Sequence, residues 1–341
     1  MSGELKSIPS LSRAREAWWR EALRSPIFTA AVAFGLVLVL GLIFSGEGAF
    51  YKWGTHRDAL RQASVYGILA CGMTVVIITA GIDLSVGSVL ALVAVSFSIL
   101  SIHWGWSPWV AIPACLAVGT ACGAVTGGII ARFAIQPFIV TLSMMVFARG
   151  MAKYVSGGMK ISQSLIIDDQ AKWLELPRIF ELIDSRLLGG NVSVVSLIFL
   201  ACVVISWTGL SRLRWGRYIY AIGGNEAAAR LSGVPVGVMK MVAYGLAGFF
   251  AAVAGICQAV QERQGDPETG MAYELSAIAI VVIGGTNLMG GRGSIGLTLL
   301  GTLIIGYIEK ILSINAVAEA NRLMLTGVII VAAVLIQRRR V

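Results

Sequence analysis

The chain has 341 residues, of which 57% are hydrophobic and 13% charged, and its mean hydropathy is +0.82. A soluble domain carries about 25% charged residues, so this composition excludes a soluble globular protein and predicts a polytopic α-helical membrane protein. The net charge of +9 does not indicate a nucleic-acid partner. The basic residues lie in short segments between apolar runs, where the positive-inside rule accounts for them in a chain embedded in a lipid bilayer.

The cysteine and histidine pattern gives no sign of a metal site, a disulfide or a cofactor. No CxxC pair occurs, and His56 and His103 are far from any cluster of carboxylates in the sequence. Thiols in apolar runs are packing residues rather than ligands. All of the cysteines follow this pattern: Cys71, Cys115, Cys122, Cys202 and Cys257.

The N-terminal segment 1–26 is predicted to be a cytoplasmic tail. It is not a signal peptide, because about 25 mostly polar residues precede the first apolar run. Between Leu11 and Ala22, apolar residues recur at helical spacing among arginines. This pattern favours a short interfacial helix on the cytoplasmic leaflet, with a frayed tail as the alternative.

Apolar windows of about 17–25 residues predict ten transmembrane spans in a permease domain covering residues 27–337. The eighth window is short and ends in glycines, so nine spans plus a re-entrant segment is the alternative. The predicted spans are 27–45, 63–81, 85–103, 108–131, 138–154, 193–210, 238–260, 272–286, 294–312 and 322–337.

Lysine and arginine predict the orientation of the spans. The N-terminal tail and the C-terminal segment 338–341 are basic, so both termini are expected in the cytoplasm and the number of spans is expected to be even. The loop 211–240 carries five basic residues against one acid, Glu226, which also predicts a cytoplasmic location. The loop 156–191 has no positive excess, as expected of an external loop.

A polar, glycine-rich break from Gly81 to Gly87 separates the second span from the third. A carboxylate at the bilayer centre costs about 2.5–3.5 kcal/mol on insertion scales, and irregular backbone at that depth requires burial in protein or a watery cavity. Asp83 is therefore predicted to lie at a membrane surface or beside a polar pathway. We favour a structural or gating role, with Asp83 capping the third span through the amides around Ser85, over direct contact with a solute.

A weak internal repeat links this break to a later segment. Residues 81–87 and 285–291 both match G-x-(D/N)-L-x-x-G, and each follows a run rich in valine and isoleucine. Paired breaks in two halves of a transporter indicate the substrate pathway. Coincidence in a glycine-rich chain is the alternative explanation.

The cytoplasmic loop contains a short predicted helix. Asn225 is a good N-cap, Glu226 suits the first turn, and Gly233 with Pro235 ends the helix after about two turns. A helix this short has only marginal stability alone in water, and it is therefore expected to dock on a partner. A capped connector is the alternative. The candidate coupling residues are Asn225, Glu226, Ala227, Ala228, Ala229, Arg230, Leu231, Ser232 and Gly233.

Glu226-Ala227-Ala228 followed by Gly233 is similar to the EAA loop of ATP-binding-cassette (ABC) importer permeases, although the glycine lies one residue later than usual. The strings at 80–88, 136–142 and 284–294 resemble the ribose-type monosaccharide permeases, and this resemblance spans residues 60–335. The motif and pathway candidates that follow are Gly81, Asp83, Ser85, Gly87, Gln136, Pro137, Thr141, Gly285, Asn287, Gly290 and Gly291.

The resemblance implies an ABC-importer permease fold in the bacterial inner membrane. It also implies three partners: an ABC ATPase, a periplasmic sugar-binding protein and a second permease subunit, identical or different. The phosphate-binding G-x-x-x-x-G-K-[ST] loop is absent from the sequence, so the chain is not expected to be an enzyme and ATP hydrolysis is assigned to the partner.

The expected function is import of a monosaccharide or similar small polyol by alternating access, driven by that ATPase. The sequence leaves open which sugar is carried. One alternative is an ABC permease for branched-chain amino acids. Another is an ion-coupled secondary transporter, for which Asp83 is the candidate carboxylate near a span junction.

Overall fold

The computed structural model describes residues 26–167 and 170–338, and 75% of these are helical. The interfacial helix predicted between Leu11 and Ala22, and the basic residues 339–341, lie outside the described residues. The helices are α1 (Pro26–Ile43), α2 (Trp53–Ile78), α3 (Val86–Ser98), α4 (Pro108–Phe133), α5 (Pro137–Ser156), α6 (Arg178–Asp184), α7 (Val194–Arg212), α8 (Arg214–Gly224), α9 (Glu226–Leu231), α10 (Val236–Glu262), α11 (Tyr273–Ile283), α12 (Ile295–Ile314) and α13 (Glu319–Arg338).

Each of the ten predicted spans overlaps one of these helices. In the part of the chain that the structure describes, seven helices are long and apolar enough to cross a membrane: α2, α3 with the π-helical turn Ile99–His103 that extends it, α4, α5, α7, α10 and α12. The polytopic α-helical membrane protein predicted from composition is thus confirmed. The helix α11 has only 11 residues, so the count of ten spans and the position of the termini stay predictions.

The centre of the molecule is formed by α2, α3 and α10. In the apolar window of α2, 83% of the residues are buried, against 22% in the window of α5. Helix α10 packs along α2, α3 and α4, and its contact with α4 is the most extensive. The helices α4, α5 and α7 therefore lie at the periphery, where their exposed apolar side chains suit contact with lipid or with another subunit.

Small residues allow the close approach of α4 and α10. A Cβ atom placed on Gly123 would lie 2.1 Å from the backbone oxygen of Tyr244, and one on Gly248 would lie 2.1 Å from the backbone oxygen of Gly119. Lipid supplies no hydrophobic drive between helices, so such backbone contacts provide the van der Waals packing that holds them together.

The segment 157–193 and the loop 263–272 pack together at one end of the helical bundle. The segment contains the antiparallel pair β1 (Ser164–Ile167) and β2 (Gln170–Trp173), helix α6, and the antiparallel pair β3 (Arg186–Leu187) and β4 (Val192–Ser193). A bridge joins Ile161 to Gly265, and Lys160 lies 3.0 Å from Asp266. This is the end that the charge pattern predicts to be external.

Candidate coupling and pathway site

The loop between α7 and α10 contains the predicted short helix. The side-chain oxygen of Asn225 accepts a hydrogen bond of 3.0 Å from the amide of Ala228, which caps α9. Gly233 follows the helix with φ +81°, a left-handed conformation that favours glycine. The local geometry predicted from the sequence is therefore present, while the coupling role of these residues stays a prediction.

Glu226 ties α9 to the membrane-spanning helix α10. Its carboxylate accepts hydrogen bonds from Arg230 at 3.0 Å and from Lys240 of α10 at 2.7 Å. Partial burial alone would raise the pKa of Glu226, but these two cations outweigh it and hold that pKa below its ordinary value. The carboxylate is therefore ionised at neutral pH and bridges the two helices.

The two faces of α9 differ. Ala229 is buried with Ile222, Val236 and Met239 in a small apolar cluster that seats the helix on the rest of the protein. The opposite face is exposed, and Leu231 presents 91% of its surface. A large apolar side chain held out on a rigid, capped helix is a suitable contact for a partner protein.

Helix α8 connects α9 to the glycine-rich motifs. A Cβ atom on Gly223 would lie 1.7 Å from the backbone oxygen of Ile78 and 2.4 Å from the amide nitrogen of Gly291. The hydroxyl of Tyr220, also in α8, donates a hydrogen bond of 2.9 Å to the backbone oxygen of Gly293. The last turn of α8, two residues before the cap of α9, is thus in backbone contact with the ends of two other segments.

The break at residues 81–87 is enclosed in protein. Asp83 is 1% exposed, and its carboxylate accepts hydrogen bonds from the amide and the hydroxyl of Ser85 at 2.9 and 2.6 Å. Both bonds are made to Ser85, the residue before α3 begins at Val86, and the structural or gating role of Asp83 stays a prediction. Burial among protein groups meets the requirement for irregular backbone at membrane depth.

Two close contacts surround the break. A Cβ atom on Gly81 would lie 2.3 Å from the hydroxyl oxygen of Tyr244, and one on Gly87 would lie 2.4 Å from the backbone oxygen of Gly270. Helix α10 and the loop before α11 therefore press directly on the backbone of the break, and larger residues would not fit at either position.

The second copy of the repeat makes the same local interaction. The side-chain oxygen of Asn287 accepts a hydrogen bond of 3.0 Å from the amide of Met289, just as Asp83 accepts one from the amide two residues later. The second copy also touches the end of α2, three residues before the first copy, because the amide of Gly291 donates a 2.9 Å hydrogen bond to the backbone oxygen of Ile78. The shared geometry favours a true repeat over coincidence.

The third motif lies apart from this junction. Pro137 is the first residue of α5, Gln136 before it is exposed, and Thr141 is fully buried with its hydroxyl 3.3 Å from the backbone oxygen of Phe138. Within residues 26–167 and 170–338, no hydrogen bond joins Gln136, Pro137 or Thr141 to the repeat or to α9. Their place on a pathway stays a prediction.

Sequence reasoning did not identify the contribution of α8. The signal available was the pair Gly223-Gly224 directly before Asn225. Whether a glycine lies against another backbone depends on the tertiary arrangement, which the sequence does not show.

Long apolar helices, two glycine-rich breaks at helix ends and a short capped helix between α8 and α10 define a multi-pass membrane protein of the transport class. Comparison with known proteins specifies the family. Residues 57–334 match the family model described as "Branched-chain amino acid transport system / permease component", and the chain belongs to this family.

The relatives are import permeases for sugars. The chain is 40% identical to the ribose import permease protein RbsC of Escherichia coli (strain K12) over 309 residues, which cover 89% of this chain and 92% of that protein. It is 33% identical to the fructose import permease protein FruF of Bifidobacterium longum, covering 93% and 89% of the two chains. It is 34% identical to the L-arabinose transport system permease protein AraH of Escherichia coli (strain K12), covering 89% and 90%.

No solved structure matches the chain significantly. The apolar helices and the import permeases among its relatives identify the chain as a multi-pass inner-membrane permease. The relatives support the expected sugar-permease function over the amino-acid and ion-coupled alternatives.

Proposed function

We propose that this chain is the translocating subunit of an ABC importer that carries a monosaccharide or a similar small polyol across the inner membrane. Relatives named for ribose, fructose and arabinose import, each matched over most of its length, support this substrate class. The proposal includes a separate ABC ATPase, a periplasmic sugar-binding protein and a second permease subunit.

The observation that carries the proposed mechanism is the contact of Gly223 with Ile78 and Gly291. An ATPase that grips the exposed face of α9 would move Asn225, and α8 would transmit this movement to the end of α2 and to the loop before α12. No side chain lies between these backbones at Gly223, so little movement would be absorbed by rotamer changes. The helices that carry the two breaks would then tilt together, as alternating access requires.

The proposed coupling is tested by two substitutions at one exposed position. Leu231→Asp places a charge in the proposed ATPase contact, whereas Leu231→Met keeps an apolar side chain of similar volume. We expect Leu231→Asp to abolish copurification of the ATPase and uptake of radiolabelled ribose, with membrane insertion unchanged, and Leu231→Met to retain both. Equal ATPase copurification and uptake in the two variants would contradict the coupling role of α9.

The source of energy and the substrate class are tested in the same cells. Uptake is expected to stop on ATP depletion and to persist when the ion gradients are collapsed. The opposite result would favour an ion-coupled transporter. Competition of uptake by leucine rather than by ribose, fructose or arabinose would favour the branched-chain amino-acid permeases.

A further inference from the structure

A polar cavity lies at the end of the bundle opposite α9. Its volume is about 390 Å³, within the range of about 300–1,000 Å³ that is usual for small-molecule sites. It reaches Arg61 of α2, which is about 25 Å along the helix axis from Ile78 at 1.5 Å per residue. The lining residues are Arg61, Gln62, Ala63, Tyr66, Gln258, Gln261, Glu262, Tyr273, Gly306, Glu309, Ser313 and Arg322.

Two of the helices that line the cavity lead to the two copies of the repeat. Tyr66 belongs to α2 and Tyr273 to α11, the two helices that end at the first and second copies of the repeat. Their rings lie 4.5 Å apart between centroids and form an aromatic surface in the cavity wall. A solute held here would contact the outer halves of both helices that lead to the breaks.

The charges in the wall compensate one another. Two cations and two anions line the cavity, and the guanidinium of Arg322 lies 4.0 Å from the carboxylate of Glu309. Arg61 is paired with Asp184 of α6, and Glu262 accepts hydrogen bonds from Gln258 and Thr269 at 2.6 and 3.2 Å. A site with this balance has no excess field for an anion or a cation, and it favours a neutral polar ligand.

Several hydrogen-bonding groups in the wall remain available. In the described part of the chain, the side chains of Gln62 and Ser313 have no hydrogen-bond partner and are exposed. Amide and hydroxyl groups together offer both donors and acceptors, which matches a ligand whose hydroxyl groups donate and accept.

We infer that this cavity binds a neutral polyhydroxylated solute of monosaccharide size on its way to the breaks. The apolar C–H face of a sugar ring would pack on the aromatic surface of Tyr66 and Tyr273, and its hydroxyls would bond to the side chains of Gln62 and Ser313. The inference rests on the proposed function for the identity of the solute. The inference goes beyond the proposed function by assigning a solute site within a single subunit.

Thiol protection tests the site without any partner protein. In the full-length chain in lipid nanodiscs, Gln62→Cys is labelled with a polar maleimide in the presence and absence of D-ribose. The control, Asn321→Cys, replaces an exposed amide that does not line the cavity, and the unsubstituted chain gives the background labelling. Ribose is expected to slow labelling of Cys at position 62 severalfold and to leave position 321 unchanged.

Uptake provides the second measurement. Gln62→Ala and Ser313→Ala are each expected to lower the rate of ribose uptake about fivefold, as for the loss of one neutral hydrogen bond. Asn321→Ala should transport at the unsubstituted rate. Both cavity positions are exposed, so folding should not be affected, and thermal unfolding of each variant checks this.

The outcomes separate this inference from the proposed function. If the unsubstituted chain imports ribose while neither cavity variant slows uptake and no sugar protects position 62, the solute site is wrong and the sugar permease stands. If the complete importer moves no sugar but ribose protects position 62, the site stands and the proposed function falls. Protection by glycerophosphocholine instead of ribose would identify a lipid-headgroup site and overturn the inference.

Discussion

The two copies of the repeat share a local hydrogen bond but differ in their surroundings. Asp83 is 1% exposed, and the first copy of the repeat, to which it belongs, is covered by α10 and by the loop before α11. In the second copy, Met289 exposes 77% of its surface and Asn287 is half-buried. The same short motif therefore forms a buried junction in one half of the chain and a surface loop in the other.

The difference follows from what comes next in the chain. Helix α3 begins at Val86, within the first copy, and is buried along almost its whole length. Helix α12 begins only at Ile295, and Gly290 and Gly291 before it adopt φ +86° and +72°. These left-handed residues turn the second copy back against Ile78 at the end of α2, just before the first copy. A shared local bond thus does not determine burial, which the neighbouring helices decide.

The largest effect is expected where α8 meets the end of α2 and the second copy. Gly223→Ala would place a methyl group 1.7 Å from the backbone oxygen of Ile78. The backbone cannot rotate away from this methyl group. We therefore expect the free energy of unfolding to fall by about 1–3 kcal/mol or more, as is typical of overpacking, and transport to be lost. Thermal unfolding and ribose uptake measure the two effects.

The matched control for Gly223 is its neighbour. A Cβ atom on Gly224 meets nothing within 4 Å, so Gly224→Ala should be close to neutral in both assays. Similar behaviour of the two variants would contradict the close contact of Gly223 with Ile78 and Gly291.

A smaller effect is expected from removing the acceptor side chain of each copy, Asp83 or Asn287. Its size should differ between the two copies. Asp83→Ala deprives the buried amide and hydroxyl of Ser85 of their partner and should cost about 1.5–3 kcal/mol, the range for hydrogen bonds to a charged group. Asn287→Ala leaves the amide of Met289 in an exposed loop, where water replaces the lost acceptor. That variant should cost about 0.5 kcal/mol or less. The shift in unfolding temperature of the two variants measures this difference.

The control for Asp83 separates hydrogen bonding from charge. Asp83→Asn keeps the acceptor oxygen at the same position and should retain most of the stability that Asp83→Ala loses. Equal destabilisation by the alanine substitutions in both copies would refute the distinction between a buried and an exposed copy. Loss of ion-coupled uptake in Asp83→Asn would instead favour the secondary-transporter alternative.

The smallest effect concerns the junction of α9 with α10. The pKa of Glu226 is lowered from its ordinary value of 4.5 because Lys240 and Arg230 outweigh the effect of burial. The stabilisation is therefore present above pH 4.5 and is lost as the pH falls through the lowered pKa of the folded protein. Hydrogen exchange of the amides in residues 226–231 should accelerate over this range.

Glu226→Gln is the control for the pH effect, because an amide does not titrate in this range. Its amide exchange, corrected for the intrinsic pH dependence, should show no such acceleration. Acceleration in both proteins would exclude the ion pairs of Glu226 as the cause. The carboxylate is partly exposed, so solvent screening keeps the expected change modest.

The sequence predicted the elements whose signals are local. Ten apolar windows each correspond to a helix, and the cap at Asn225 and the end of α9 near Gly233 were predicted from residue type alone. A bond between Asp83 and Ser85 was expected as well, because the two residues are two positions apart, while the structural or gating role of Asp83 stays a prediction. Capping and hydropathy depend on residues close in the chain, so they can be interpreted without knowing the fold.

Only the tertiary structure decided which segments meet. Gly223, Ile78 and Gly291 are far apart in sequence, and no pattern marks them as neighbours, yet their backbones are in contact. The polar cavity likewise combines residues from five helices, and in the sequence its glutamines and tyrosines are isolated residues at span ends. Helix packing brings them together through shape and close backbone contact, which depend on distances between helices that composition and periodicity do not contain.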